Sequence, residues 1–189
     1  MIIAPHTMTL DEFLAKYEDS AVLEFADGVV TEKMAPAWNH GILGYFIAKW
    51  INDYAHPREL ALAIPELRTT DLGTRVSRVP DIAVYVWSRI ERDLKAQERG
   101  AFVPPDIAIE MASPGQGRRE QIERCQQFVA LGSRIGLMVD PRTRTIVDVR
   151  ADRPDRRLRD ADIVDLSEVI PGLTASVTEL FDSLNVGPS

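Results

Sequence analysis

The chain has 189 residues, of which 45% are hydrophobic and 27% are charged, and its net charge is −7 at pH 7. These values are typical of a globular protein, and we expect one domain over residues 1–189 with a flexible tail at residues 185–189. The acidic balance excludes a broad basic surface that coats nucleic acid. A single cysteine, Cys125, excludes an intrachain disulfide and is expected in the core. No apolar run approaches the roughly 20 residues of a membrane span, and the basic flank of a signal peptide is missing, so we expect a cytoplasmic protein.

The first part of the chain carries clear local signals. Thr9 and Glu12 have the spacing of a capping box, which predicts a short helix to about residue 18. Asp27-Gly28 between two β-prone runs predicts a hairpin. Apolar residues at helical spacing then predict a core helix over residues 40–54.

The rest of the chain alternates between strands and helices. Residues 60–70 resemble a strand that Pro65 confines to an edge or a bulge, and the polar residues 88–100 predict a short helix or excursion. Further strands are predicted over residues 79–87, 106–112, 135–140, 145–150 and 156–160, and further helices over residues 118–131 and 176–184. This order predicts an α/β (α+β) fold with a mixed central sheet flanked by helices.

Two of the predicted strands each carry one carboxylate among small residues. Side chains two apart in a strand share a face, so Asp81 lies opposite an apolar stripe in one strand and Glu110 does so in the other. If the strands are neighbours, the two carboxylates converge, and a hard cation such as Mg²⁺ or Mn²⁺ would offset the cost of burying them. The alternative is that both face solvent on the open side of an antiparallel sheet.

Other residues give weaker signals. His40, near the start of the long helix, could contact phosphate or orient a carboxylate; His6 and His56 have no partner at metal-ligand spacing. No glycine-rich phosphate loop is present. The tryptophans at positions 38, 50 and 87 fit core packing, and one of them could stack on a base only if it is exposed. Arginines gather at residues 118–119 and 150–159, as on a solvated face or a charged hairpin.

Several short motifs follow one another in a fixed order over residues 8–182. They are Leu23-Glu24-Phe25-Ala26-Asp27-Gly28, His40, Val79-Pro80-Asp81, Ile107 to Pro114, Glu123-Arg124, Phe128, Gly132, Leu137 to Pro141, and Ile170-Pro171-Gly172-Leu173. The ordered series resembles the Uma2 (DUF820) family of endonucleases within the PD-(D/E)XK nuclease superfamily.

The resemblance implies a restriction-endonuclease-like core and cleavage of nucleic acid, DNA more than RNA. It implies that Asp81 and Glu110 bind Mg²⁺ or Mn²⁺ and that Glu24 is a third acidic residue; the alternative for Glu24 is a surface charge on the hairpin. It also fits a homodimer, since such enzymes often cut both strands as a symmetric pair.

One position departs from the superfamily pattern. Lysine is expected two residues after Glu110, where this chain has Ala112, and the matching position on the following helix is Arg124. Arginine can bind phosphate and stabilise charge but cannot act as a general base, so we expect the cation to activate the attacking water. The alternative for Arg124 is a surface ion pair with Glu120 or Glu123. Two further functions therefore stay open: a catalytically silent binding or scaffold protein, and a metal-dependent phosphohydrolase of a small substrate.

Overall fold

The computed structural model describes residues 8–33, 37–93, 100–113 and 117–185. Several positions singled out in the sequence lie outside these ranges. They are His6, Pro114, residues 94–99 of the polar stretch 88–100, and residues 186–189 of the predicted tail.

The described residues form four α-helices, two short 3-10 helices (His56–Arg58 and Trp87–Arg89) and twelve strands. The helices are α1 (Leu10–Tyr17), α2 (Trp38–Ala55), α3 (Arg118–Ala130) and α4 (Val177–Asp182). The strands are β1 (Leu23–Ala26), β2 (Val29–Glu32), β3 (Ala61–Pro65), β4 (Thr69–Asp71), β5 (Val76–Arg78), β6 (Ile82–Val86), β7 (Ile107–Met111), β8 (Ile135–Asp140), β9 (Thr145–Arg150), β10 (Arg153–Arg159), β11 (Ile163–Asp165) and β12 (Thr174–Ser176). No helix in the described ranges combines the length and apolar character that crossing a membrane requires.

A six-stranded sheet in the order β10-β9-β8-β7-β6-β3 forms the centre of the molecule. Its neighbouring strands are antiparallel except β7 and β8, which are parallel, so the predicted mixed sheet is confirmed. Parallel neighbours need a crossover connection, and α3 provides it between β7 and β8. The prediction that Pro65 marks an edge is also confirmed, because β3 ends there at the edge of the sheet.

Helices cover both faces of the large sheet. The apolar stripes predicted in β6 and β7 pack on one face with α2, through residues such as Ile82, Ile109 and Ile47. On the other face, Cys125 of α3 packs on Met138 and its neighbours, as expected of a buried core cysteine.

A smaller sheet in the order β2-β1-β5-β4 carries α1 on one side. The capping box of α1 is present, with Thr9 accepting from the Glu12 amide and Glu12 accepting from the Thr9 amide. The predicted hairpin between β1 and β2 is confirmed, and its turn residues Asp27 and Gly28 have φ values of 52° and 78°. The prediction of one strand over residues 60–70 was wrong in its second half: the chain turns after Pro65, and β4 joins the smaller sheet.

Candidate active site

A cavity of about 370 Å³ opens where the two sheets and α3 meet. Its lining comes from β1, β2 and β5 of the smaller sheet, from the end of the β6–β7 pair where β6 begins and β7 finishes, from the start of α2 and from α3. All five residues singled out as site candidates in the sequence line this one cavity. They are Glu24, His40, Asp81, Glu110 and Arg124.

Asp81 lies immediately before β6 and is 7% exposed. Its Oδ2 accepts a hydrogen bond from the Met111 amide at 2.7 Å, and its Oδ1 accepts one from Lys33 Nζ at 2.8 Å. Burial works to raise the pKa of the Asp81 carboxyl, but the contacts with His40 and Lys33 outweigh it and hold that pKa well below the usual range. Asp81 is therefore an ionised carboxylate inside the protein.

Glu110 lies on β7 and is 1% exposed. Its Oε1 accepts a hydrogen bond from Arg124 Nη2 at 2.9 Å. Complete burial raises the pKa of Glu110 to about 7; Arg124 opposes the shift, and the negative charge of Asp81 adds to it. The alternative that Asp81 and Glu110 face solvent is wrong, because α3 and the smaller sheet cover that face of the large sheet.

Arg124 joins two acidic residues from different sheets. Its Nη1 and Nη2 donate to the two carboxylate oxygens of Glu24 at 2.6 and 2.8 Å, and Nη2 also donates to Glu110. Burial works to raise the pKa of Glu24, but the hydrogen bonds and charge of Arg124 lower it overall. Burial likewise works to lower the pKa of Arg124, while Glu110 and Glu24 raise it well above its ordinary value.

The alternatives that placed Glu24 and Arg124 in ion pairs or charges on the protein surface are therefore wrong. Glu24 is 2% exposed and also accepts from the Val79 amide at 2.9 Å, so it is not a hairpin surface charge. Arg124 does not pair on the helix surface; the neighbouring Arg119 pairs with Glu123 there instead.

His40, in the first turn of α2, contacts Ser113 and Asp81 instead of extending into solvent. Its Nδ1 lies 2.9 Å from Ser113 Oγ, and its Nε2 lies 3.5 Å from Asp81 Oδ2. With its side chain largely buried, His40 is placed to orient the Asp81 carboxylate, one of the two roles that its position in the sequence suggested.

Sequence reasoning missed two basic residues of the site, Lys33 and Arg78. Lysine was sought two residues after Glu110 and on α3, whereas Lys33 reaches Asp81 from the end of β2. A signal was available: Glu24 pairs with Thr31 across the hairpin, and side chains two apart share a face, so Lys33 lies on the Glu24 side. Arg78 is on the short strand β5, which the sequence analysis did not predict. Its Nη1 lies 3.7 Å from Glu24 Oε2.

The buried part of the site is balanced in charge. Three carboxylates, from Glu24, Asp81 and Glu110, face the basic side chains of Lys33, Arg78 and Arg124. By contrast, the exposed residues at the rim of the cavity are acidic or neutral. They are Glu32, Glu120, Glu123 and Gln127.

Asp81 and Glu110 suit a divalent cation by donor type. Mg²⁺ takes oxygen ligands, keeps several waters, and is commonly held by one or two carboxylates together with substrate phosphates. Within the described ranges no group of three or more His, Cys, Asp or Glu residues is arranged to hold a metal ion. The fit thus rests on two carboxylates that line one cavity and influence each other's charge.

A tryptophan could stack on a base only if it is exposed, and of the three only Trp38 is. It is 87% exposed and begins α2, two residues before His40. Trp50 packs against the core, and Trp87 packs edge-on against His56.

Comparisons with known proteins agree with the architecture. A crystal structure from Anabaena variabilis ATCC 29413, described as a putative nuclease belonging to DUF820, superposes with a TM-score of 0.83 at 28% identity; the match covers 94% of this chain and 99% of that chain. A search of curated proteins finds no match. The family model of Uma2, described as "Putative restriction endonuclease", matches residues 10–178. This chain therefore belongs to the Uma2 family.

Proposed function

We propose that this protein is a divalent-metal-dependent endonuclease that hydrolyses phosphodiester bonds of nucleic acid, DNA in preference to RNA. One observation carries the proposal: two buried carboxylates from adjacent strands, Asp81 and Glu110, line a single cavity together with Lys33 and Arg124. The family description, a restriction endonuclease, supports DNA as the substrate.

Asp81 and Glu110 are the residues that would hold Mg²⁺ or Mn²⁺. When bound, such a cation would act as a Lewis acid on the phosphate and would lower the pKa of a neighbouring water toward neutral pH. Because Asp81 is ionised and fixed by the Met111 amide, it offers a ready oxygen ligand.

Lys33 and Arg124 bring fixed positive charge to the phosphate. Burial works to lower the pKa of Lys33, but Asp81 and Glu110 raise it overall, so the ammonium stays protonated and acts as a donor rather than a base. Arg124 cannot give up its proton either. Both side chains would therefore stabilise negative charge on the non-bridging oxygens, and fixed donors in a protein cavity do so more strongly than water does.

A direct test is nicking of supercoiled plasmid with Mg²⁺ or Mn²⁺, comparing the parent with Asp81→Asn. We expect the variant to lose nicking. Asp106→Asn is the matched control, because Asp106 is also buried and ion-paired, with Arg89 and Arg134, but does not line the cavity. Nicking that survives in Asp81→Asn would contradict the proposal.

The charge balance of the site favours a second candidate, a catalytically silent binding protein. Glu24, Asp81 and Glu110 already have basic partners, so the fold does not need a cation to neutralise them. Calorimetric titration of the parent with Mn²⁺ separates the two candidates. Absence of both Mn²⁺ binding and nicking would favour the silent protein.

We also propose a homodimer, because two such cavities related by a two-fold axis could cut both strands of a duplex. Sedimentation of the parent, alone and with duplex DNA, tests this; a monomer under both conditions would contradict it.

A further inference from the structure

Three arginines on the edge strand β10 have side chains without a partner among the described residues, and Arg157 and Arg159 are two of them. Arg157 and Arg159 are exposed, and in the described part of the chain neither side chain makes a hydrogen bond or an ion pair. The protein as a whole has a net charge of −7, and the nearby Arg150 and Arg153 are both paired with Asp148. The guanidinium groups of Arg157 and Arg159 are therefore available to bind an external anion.

The register of the sheet places Arg157 in line with the proposed active site. Glu110 pairs with Met138, Met138 with Val147, and Val147 with Arg157, one residue from each of four neighbouring strands. Residues paired across strands share a face, so Arg157 lies on the same face as Glu110. Three strand spacings of roughly 4.8 Å separate them by about 14 Å.

The first turn of α3 lies between the cavity and β10. Arg118 donates to Thr145 Oγ1 at 3.2 Å, and Thr145 is the cross-strand partner of Arg159. On the other side of the same turn, Glu120 and Gln121 line the cavity. Arg118, which also lies 4.0 Å from Asp140, together with Arg157 and Arg159 is hereafter the arginine strip. The strip runs from the first turn of α3, beside the cavity, to the edge of the sheet.

The rim of the cavity cannot itself attract a polyanion, because its exposed residues are acidic or neutral. A nucleic-acid backbone that enters the cavity must therefore find positive charge outside it. About 14 Å corresponds to roughly four nucleotides along one strand of a duplex. Because α3 covers Met138 and Val147 on the line from Glu110 to Arg157, a backbone would pass around the first turn of α3 and span at least that many nucleotides.

We propose that the arginine strip binds the phosphate backbone of duplex DNA on one side of the cavity. Guanidinium groups suit this role because they are permanently charged and bind phosphate through paired N–H groups. The proposal rests on the proposed function, since it assigns contacts of the substrate that the cavity would cleave.

The strand provides its own control in Arg156. It is exposed, carries the same charge and also lacks an ion pair in the described part of the chain. It pairs with Asp148, whose other partner Leu137 belongs to the core on the α2 side, so Arg156 lies on the opposite face of the sheet.

The test is binding of a fluorescein-labelled duplex in EDTA, which prevents metal-dependent cleavage, measured by anisotropy over a range of NaCl concentrations. Each phosphate contact contributes about 0.9 to the slope of log K against log salt. We expect the double variant Arg157→Gln/Arg159→Gln to bind more weakly with a slope about two units shallower, and Arg156→Gln to match the parent. An unchanged slope in the double variant, an equal loss in Arg156→Gln, or a parent that does not bind duplex overturns the proposal.

Plasmid nicking of the same variants separates this inference from the proposed function. If the parent nicks and the double variant keeps its affinity and salt slope, the strip is wrong and the nuclease stands. If the parent fails to nick plasmid but binds duplex, and Arg157→Gln/Arg159→Gln weakens that binding, the strip is supported and the nuclease proposal fails.

Discussion

The ammonium group of Lys33 lies 2.8 Å from Oδ1 of Asp81, although the two residues are 48 positions apart and belong to different sheets. Lys33 follows β2 in the smaller sheet, and Asp81 precedes β6 in the larger one. The contact therefore exists only when the two sheets dock correctly.

Substitution of Lys33 tests its role in the reaction. We expect Lys33→Gln to lower the nicking rate by about 100-fold, as loss of one charge-stabilising donor typically does. Stability should fall by only about 1–3 kcal/mol, because Asp81 keeps the Met111 amide and His40 as partners. Nicking assays and urea unfolding measure the two effects. Lys49→Gln is the control, since Lys49 forms an exposed pair with Asp53; equal losses in both variants would contradict a role in the site.

Arg124 should contribute more to stability than Lys33. Arg124→Gln leaves Glu24 and Glu110 buried without their shared partner, and breaking such a pair costs about 3–5 kcal/mol. Urea unfolding measures the loss. The exposed Arg119, paired with Glu123, is the control, and Arg119→Gln should cost no more than about 1 kcal/mol.

A double-mutant cycle sharpens this prediction. Glu24→Gln in the Arg124→Gln background should recover part of the lost stability, because the buried charge that Arg124 compensated is removed. Strictly additive losses from the two substitutions would show that the paired hydrogen bonds between Arg124 and Glu24 do not couple the two residues.

The raised pKa of Glu110 predicts a pH effect on the metal-free protein. In the unfolded chain Glu110 titrates near its ordinary value of 4.5, whereas in the folded protein its pKa is raised to about 7. The folded state therefore holds a proton that the unfolded state lacks, and this contribution to stability is complete below pH 4.5 and lost as the pH rises through 7. Urea unfolding in EDTA should show the loss in the parent and a smaller one in Glu110→Gln. If the free energy of unfolding changes with pH in the same way in the parent and in Glu110→Gln, the predicted role of Glu110 is wrong.

Glu24 should act in the opposite direction. Its folded pKa lies below 4.5, so its contribution to stability is complete above that value and is lost as the pH falls through the lowered pKa. Glu24→Gln should flatten the acid side of the stability profile. The prediction fails if the acid side is as steep in the variant as in the parent.

Gly136 on β8 controls how closely α3 approaches the sheet. A Cβ at this position would lie 3.0 Å from both Cβ and the carbonyl oxygen of Cys125, so in Gly136→Ala the helix must shift. We expect a loss of about 1–3 kcal/mol together with reduced nicking, because Arg124 moves with α3. Gly41→Ala is the control, since no atom lies within 4 Å of its added Cβ. Unaltered nicking in Gly136→Ala would show that the site tolerates movement of α3.

The sequence predicted those parts of the molecule that depend on local pattern. The alternation of residues in β6 and β7 placed Asp81 and Glu110 opposite their apolar stripes, and the helical spacing predicted α2 and α3. Strands of three residues, such as β5, are too short to show a period, so Arg78 was not found.

The contacts of the site were beyond sequence reasoning for a different reason. The Glu24–Arg124 pair spans 100 positions and joins the smaller sheet to a helix of the larger one. No local pattern specifies how two sheets dock, so Lys33 and Arg124 could be placed on their own elements but not paired with their acids.

The arginines of β10 also limit how copies of this protein can associate. An edge strand offers free backbone amides and carbonyls to any neighbouring chain, and natural sheets guard against such pairing with charged side chains. In an antiparallel pairing centred on Arg156, a second copy of β10 would set Arg156 opposite Arg156 and Arg153 opposite Arg159, and only Asp155 would face an opposite charge, Arg157. Continuation of the sheet through this edge is therefore disfavoured, and a homodimer would have to form through another surface.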